Sequence, residues 1–295
     1  MERLTLNETQ EHDMSMKEKS VNCLGKAGFH RIAYTEWGAP DAARTLICVH
    51  GLTRNGRDFD TLASALEDQY RIICPDVVGR GNSDWLQSGS EYQNPNYLAD
   101  LATLLAKTGA REVDWLGTSM GGILGMLMAT VPGNPIKRLI INDVGPFLPK
   151  AALERIASYT GNALDFDDLA ALESYLRDVH ATFGNLTDGQ WRHMAETSHR
   201  TLEGSKVALA YDPAIGDNFR AGPLDDVDMW GFWDLIRCPT LVLRGETSDL
   251  LCQEDAEAMT QRGPKAELVE IPGCGHAPAL MAADQIAIAR DWLNR

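Results

Sequence analysis

A serine stands between two glycines in Gly117-Thr118-Ser119-Met120-Gly121, and another glycine follows at 122. A serine hydroxyl is a weak nucleophile until a neighbouring base takes its proton. His276 can supply that base: it lies in the loop Gly273-Cys274-Gly275-His276-Ala277-Pro278, near the end of the chain. A carboxylate must then hold the imidazole in the useful tautomer. Asp249, in Arg244-Gly245-Glu246-Thr247-Ser248-Asp249, is the expected partner. Glu246 competes with it in the same loop, and Asp143 is the rival because it too ends an apolar run. Together, a serine, a histidine and a carboxylate perform two-step acyl transfer, in which an alkoxide attacks a carbonyl and water later releases the acyl group. The developing oxyanion needs backbone N–H donors, and those of Leu52, in His50-Gly51-Leu52, and of Met120 are the expected oxyanion hole. His50, beside Gly51, reads as a ring supporting that loop and not as the base.

These residues are distant in sequence, so regular elements must carry them to one place. Residues 21–24 and 30–36 pattern as a leading hairpin, and near-continuous apolar runs follow at 45–49, 71–74, 113–116 and 136–141. Runs that are apolar on both faces suit strands inside a covered parallel sheet. Helical spacing separates them at 59–66, 97–105 and 121–129; strand, helix and strand resume at 240–243, 253–262 and 267–271, and a helix closes the chain over 278–293. This alternation predicts an α/β fold with a mostly parallel, doubly wound sheet flanked by helices. Ser119 then occupies a tight strand-to-helix turn, where glycines at 117 and 121 leave room and the helix N-terminus favours negative charge. Between 147 and 233 no buried-strand run occurs, only amphipathic stretches at 151–159, 167–183 and 189–202. That block is expected to be a helical cap or lid over the carboxyl ends of the strands, where open α/β sheets bind ligands. The expected organisation is a loosely ordered arm over residues 1–20, a core built from 21–146 and 234–295, and a cap over 147–233.

Ser119, Asp249 and His276 follow the chain order of the α/β-hydrolases. His50-Gly51 after the third strand is similar to that superfamily, and Pro75-Asp76-Val77-Val78-Gly79-Arg80-Gly81-Asn82-Ser83-Asp84 looks like its Asp-x-x-Gly-x-Gly-x-Ser loop. From residue 21 to 295 the chain resembles the lid-bearing serine branch of the superfamily. The resemblance implies the α/β-hydrolase fold and hydrolysis of a small, mostly neutral or apolar carboxylic ester, without metal or organic cofactor. Carbon–carbon bond hydrolases, lactonases, cofactor-free haloperoxidases and slow-turnover small-molecule receptors share the same triad. Epoxide hydrolases and dehalogenases use an aspartate nucleophile, which Ser119 argues against.

Other residues have a structural and a functional reading side by side. Asp76 and Asp84 read as loop scaffold, with Asp76 satisfying nearby backbone donors. Arg54 could bind a substrate carboxylate or form an ion pair. Trp85, Trp230 and Trp233 could line an acyl pocket or pack. His180, His193 and His199 fall on predicted cap helices as solvated or pocket-lining groups.

Composition narrows the partners. The chain has 295 residues, 44% hydrophobic and 23% charged, which is globular and not disordered composition. Its formal charge of −15 disfavours nucleic acid and makes a polyanionic substrate less expected than a neutral one. No apolar run reaches the roughly 20 residues of a membrane span. Six cysteines without a Cys-x-x-Cys pair, and a polar N-terminal segment without a signal-like apolar stretch, point to a reduced, cytoplasmic protein.

Overall fold

The computed structural model describes residues 16–295. Eight strands form the central sheet: β1 (Lys17–Gly25), β2 (Gly28–Trp37), β3 (Thr45–Val49), β4 (Arg71–Pro75), β5 (Val113–Thr118), β6 (Ile136–Asn142), β7 (Thr240–Gly245) and β8 (Glu267–Ile271). Their spatial order is β1-β2-β4-β3-β5-β6-β7-β8. Only the β1–β2 and β2–β4 pairings are antiparallel; from β4 to β8 every pairing is parallel.

The apolar runs are continuous because both faces of the sheet are covered. Along β3, Ile47 and Val49 enter one core with Leu101 and Leu104 of helix α2 (Asn94–Thr108) and Leu124 of helix α3 (Met120–Thr130). Leu46 and Cys48, pointing the other way, enter a second core with Leu62 and Leu66 of helix α1 (Asp60–Leu66) and Trp292 of the C-terminal helix. The period of two along a strand thus feeds two separate cores, as a doubly wound sheet requires. Helix α3 lies very close to the sheet. A Cβ on Gly121 would land in the Val49 carbonyl, and one on Gly117 in the Gly121 carbonyl. Those two glycines let the chain turn at once from β5 into α3.

Two expectations change at the edges. The arm expected over 1–20 lies, for residues 1–15, outside the described residues, whereas Lys17–Ser20 already pair with β2. Between β6 and β7 the chain forms helices Lys150–Tyr159, Leu169–Val179 and Asp188–Thr197, which carry a small core of Leu172, Leu176, Trp191 and Met194. The helix expected over 189–202 stops at Thr197, because His199–Thr201 turns back against Val207–Leu209 and those residues also pair with Asp165–Phe166. Gly204 and Ser205, at φ 70° and 68°, make that reversal. A two-residue ribbon, Phe147–Leu148 against Val227–Asp228, fastens the entry of this segment to its exit. Among the described residues no helix is long and apolar enough to cross a membrane.

The closeness of α3 to β3 can be measured. Gly121→Ala should lower unfolding stability by about 1–3 kcal/mol through overpacking. Gly222→Ala, with nothing within 4 Å of the added methyl, should be near neutral. Urea unfolding midpoints compare the two, and equal midpoints would contradict the close approach.

Candidate active site

Ser119 sits between the end of β5 and the start of α3 with φ 53° and ψ −115°. A non-glycine residue holds such a conformation only when its surroundings over-determine it. Here its N–H donates to the Asn142 carbonyl at 2.9 Å, and its carbonyl accepts from Gly122 at 2.8 Å and Ile123 at 3.0 Å. The hydroxyl is left free to face His276, with Ser119 Oγ 2.9 Å from His276 Nε2. On the other side of the ring, Nδ1 lies 2.8 Å from Asp143 Oδ2. With Nδ1 donating to the carboxylate, Nε2 is the acceptor for the serine proton.

Asp143, not Asp249, is therefore the carboxylate against His276. Asp143 is the first residue past β6, turned by a φ of 59° and completely buried. The Gly245 N–H donates to its Oδ1 at 2.7 Å, and the Ser248 hydroxyl donates to its Oδ2 at 2.7 Å. The loop after β7 thus supplies donors to the acid. Asp249 points outward, half exposed, and pairs with Arg155 through Nε and, at 2.8 Å, through Nη2. Glu246 accepts the Gly273 N–H at 2.8 Å and braces the loop that carries His276. The sequence signal for Asp143 was its place at the end of a buried strand next to the strand that delivers Ser119.

Other contacts fix the histidine loop. Gly275 donates to the Thr182 carbonyl at 2.8 Å, and the Thr182 hydroxyl returns to the His276 carbonyl at 2.8 Å. Asn142 Nδ2 holds the Pro278 carbonyl at 2.8 Å. Thr182 belongs to the segment inserted between β6 and β7, so that segment grips the loop bearing His276.

Met120 is the first residue of α3, and its N–H has no acceptor within the helix. Leu52 follows Gly51, which lies beside Ser119: a Cβ on it would stand 3.7 Å from the serine Cβ, an ordinary contact. Reading the sequence missed what holds this corner. Arg80 is completely buried, its Nε donating to the Leu52 carbonyl at 2.9 Å and Nη1 to Val78 O at 2.8 Å and the Tyr97 hydroxyl at 3.0 Å. Its Nη2 stands 3.7 Å from Met120 Sδ, and the guanidinium covers the Tyr97 ring at 4.9 Å. An arginine between two glycines of a loop gives no sequence sign of this inward turn.

His50 is buried and accepts the Val77 N–H at 3.0 Å through Nε2, so its Nδ1 donates to the Gly51 carbonyl at 2.7 Å. Burial, with Arg80 and Arg54 nearby, pushes its pKa down to about 3. Asp76 accepts the Gly56 and Asn82 N–H groups, each at 2.8 Å, and burial raises its pKa to about 6. Asp84 accepts the Arg31 N–H at 2.7 Å.

Ser119 and His276 open into a cleft enclosing about 750 Å³, mouth included. Leu52, Ile156, Val179, Phe183, Met194 and Met281 give it apolar walls; Arg54, Arg155, Tyr159 and His180 give it polar ones. His180 stacks on Phe183 at 4.3 Å, and burial, with Arg54 and His276 adding, drives its pKa well below the ordinary value. The three tryptophans are elsewhere. Trp233 is buried with Nε1 donating to Arg262 O at 3.0 Å, Trp230 lies under Arg262, and Trp85 under Arg200. His193 and His199 bind the Arg57 and Glu196 carbonyls, away from the cleft. Among the described residues, the group spaced to hold a metal is Cys23, His30 and Asp100, where β1 and β2 meet α2, and His30 Nε2 already bonds Asp100 at 2.8 Å.

Residues 46–289 match the model of the Alpha/beta hydrolase family. The chain is 43% identical over 282 residues to a 3-hydroxybutyrate-oligomer hydrolase of Cupriavidus necator, covering 93% of this chain and 96% of the relative. It is 25% identical to a 2-(acetamidomethylene)succinate hydrolase of Mesorhizobium japonicum, over 78% of this chain and 81% of that one. Among solved structures, an alpha/beta hydrolase of Novosphingobium aromaticivorans superposes with a TM-score of 0.84 at 34% identity, covering 95% of this chain and 98% of the other.

The two carboxylates separate by mutation. Asp143→Asn should cut hydrolysis of nitrophenyl butyrate by about 10⁴-fold, the cost of losing the histidine's tautomer partner. Asp249→Asn should change it little and, by freeing an exposed pair, shift stability by less than about 1 kcal/mol. The reverse ranking of rates would overturn the assignment. Arg80→Leu should lower kcat/KM on the order of 100-fold by loosening the Leu52 corner, where small misplacements are costly; an unchanged rate would remove Arg80 from that role.

Proposed function

The chain belongs to the alpha/beta hydrolase family, and from that premise we propose that it is a serine esterase acting on short esters of small hydroxy acids. The observation that carries the reading is the unbroken relay from Asp143 Oδ2 through His276 to Ser119 Oγ, which opens into the cleft. The substrate class follows the activity named for the Cupriavidus necator relative, which matches over nearly the whole length of both chains.

In this mechanism His276 Nε2 takes the Ser119 proton as Oγ attacks the ester carbonyl. The Leu52 and Met120 N–H groups receive the oxyanion, and Asp143 stabilises the imidazolium through Nδ1. As the tetrahedral intermediate collapses, the carbon–oxygen bond to the alcohol breaks and His276 returns the proton to the departing oxygen. Water then enters, gives its proton to His276 and displaces Ser119 from the acyl group, releasing the acid and restoring the serine. The segment between β6 and β7 acts as a cap: it supplies Ile156, Val179, Phe183 and Met194 to the cleft wall and, through Thr182, holds the histidine loop.

Carbon–carbon bond hydrolysis would use the same three groups. The ester reading has the support of a relative named for hydrolysing 3-hydroxybutyrate oligomers, at 43% identity over nearly the whole of both chains.

Ser119→Ala should abolish hydrolysis of nitrophenyl butyrate and of the hydroxybutyrate dimer, a loss of about 10⁶-fold, while thermal unfolding stays near that of the parent. A fluorophosphonate should label Ser119 in the parent protein, as read by peptide mass spectrometry. Retained hydrolysis, or a label on another residue, would refute the mechanism.

A further inference from the structure

Arg54 lies in the wall of the reaction cleft with one terminal nitrogen unused. Its side chain is 4% exposed. Asp58 takes the edge of the guanidinium, accepting from Nε at 3.0 Å and from Nη2 at 2.5 Å. Nη1 is buried and has no hydrogen-bond partner. A buried charged donor left unsatisfied is costly, and native proteins rarely leave one without a use. Arg54 and Asp58 both line the cleft that holds Ser119 and His276.

The place of Arg54 follows from the turn that forms the oxyanion corner. Its N–H donates to the Gly51 carbonyl at 3.2 Å, closing a turn that keeps the two Cα atoms within about 7 Å. Gly51 itself lies against Ser119. The same short turn therefore presents the Leu52 amide to the reacting carbonyl and the Arg54 guanidinium to a group a few bonds away. The further cation lining the cleft, Arg155, is already paired with Asp249 at 2.8 Å, and Asp249 lies outside the lining. Facing Arg54, His180 and Tyr159 bring no negative charge at neutral pH. Among the described residues Asp58 is thus the one carboxylate lining the cleft, and it engages only Nε and Nη2 of Arg54.

We infer that Arg54 Nη1 binds a substrate carboxylate, so that the enzyme takes its hydroxy-acid esters as free acids. This rests on the esterase reading above and extends it. In a linear ester of hydroxy acids, the free carboxylate is always on the alcohol side of the bond that breaks. A carboxylate held by Arg54 therefore anchors the leaving group, and cleavage is counted from the carboxyl end of the chain. Arginine suits this because a planar guanidinium offers directed donors, and a charge-assisted bond to a carboxylate is short and strong.

The test compares kcat/KM for the hydroxybutyrate dimer as free acid and as its methyl ester, which differ at the carboxylate alone. The parent should prefer the acid by about 10- to 100-fold, the worth of one charge-assisted hydrogen bond. Arg54→Gln should collapse that ratio toward one through the KM of the acid, and Arg54→Lys should restore part of it. Asp58→Asn, which leaves the guanidinium without its counter-charge, should raise the ratio, and so tests the proposal even where Arg54→Gln does not fold. Equal treatment of acid and ester by the parent would overturn the proposal, as would a preference that survives Arg54→Gln; both leave the esterase reading standing. No turnover of either dimer form or of nitrophenyl butyrate would overturn both.

Discussion

The Asp143 carboxylate is the contact on which the site depends. It accepts the Gly245 amide, the Ser248 hydroxyl and the His276 ring, three groups lying 102, 105 and 133 residues along the chain. A buried carboxylate is tolerated only with such compensation. Here the compensating donors are also the means of alignment. The ends of β6 and β7 and the C-terminal loop converge on one pair of oxygens, and the imidazole between Asp143 and Ser119 has little freedom left. Preorganisation of that kind is set at folding, before any substrate arrives.

The geometry is built on two neighbouring strands. β5 and β6 pair in parallel up to Thr118 and Asn142, and the residue after each is one of the two that flank the His276 ring. Ser119 and Asp143 both take positive φ, at 53° and 59°, where non-glycine residues are uncommon. Each turn is tied to the next strand along the sheet: the Ser119 N–H is held by the Asn142 carbonyl of β6 and the Asp143 N–H by the Leu243 carbonyl of β7. Two adjacent strands ending at the same height, each followed by a sharp turn, lift a hydroxyl and a carboxylate to opposite ends of one imidazole.

How much of this was legible in sequence depended on whether backbone sterics or tertiary contacts made the choice. The elbow was legible because so tight a turn into a helix admits almost nothing but glycine at 117 and 121. The covered sheet was legible because strands buried on both faces leave continuous apolar runs. The acid was not, because two strand ends each offered an aspartate and the choice lay in side-chain direction. Asp143 turns inward under a positive φ, while Asp249, four residues beyond its strand, is drawn outward by Arg155. The strands at 199–209 were hidden by being three residues long, too short for any period to show. Arg80 was hidden for a different reason: composition assigns arginine to the surface, and only the carbonyls and aromatic rings folded around it make burial tolerable.

Net charge and local charge give opposite expectations for the substrate, and distance decides between them. The chain carries −15 overall, which argues for a neutral ligand. That field is summed over the whole surface and is screened within about 8 Å at physiological ionic strength. Arg54, nearly buried in a cleft with apolar walls, would act at contact distance, where screening is weak and each hydrogen bond is directed. An acidic exterior therefore slows the approach of an anion without determining what the cleft retains. On the proposal for Arg54, retention is set by the guanidinium nitrogen that Asp58 leaves free.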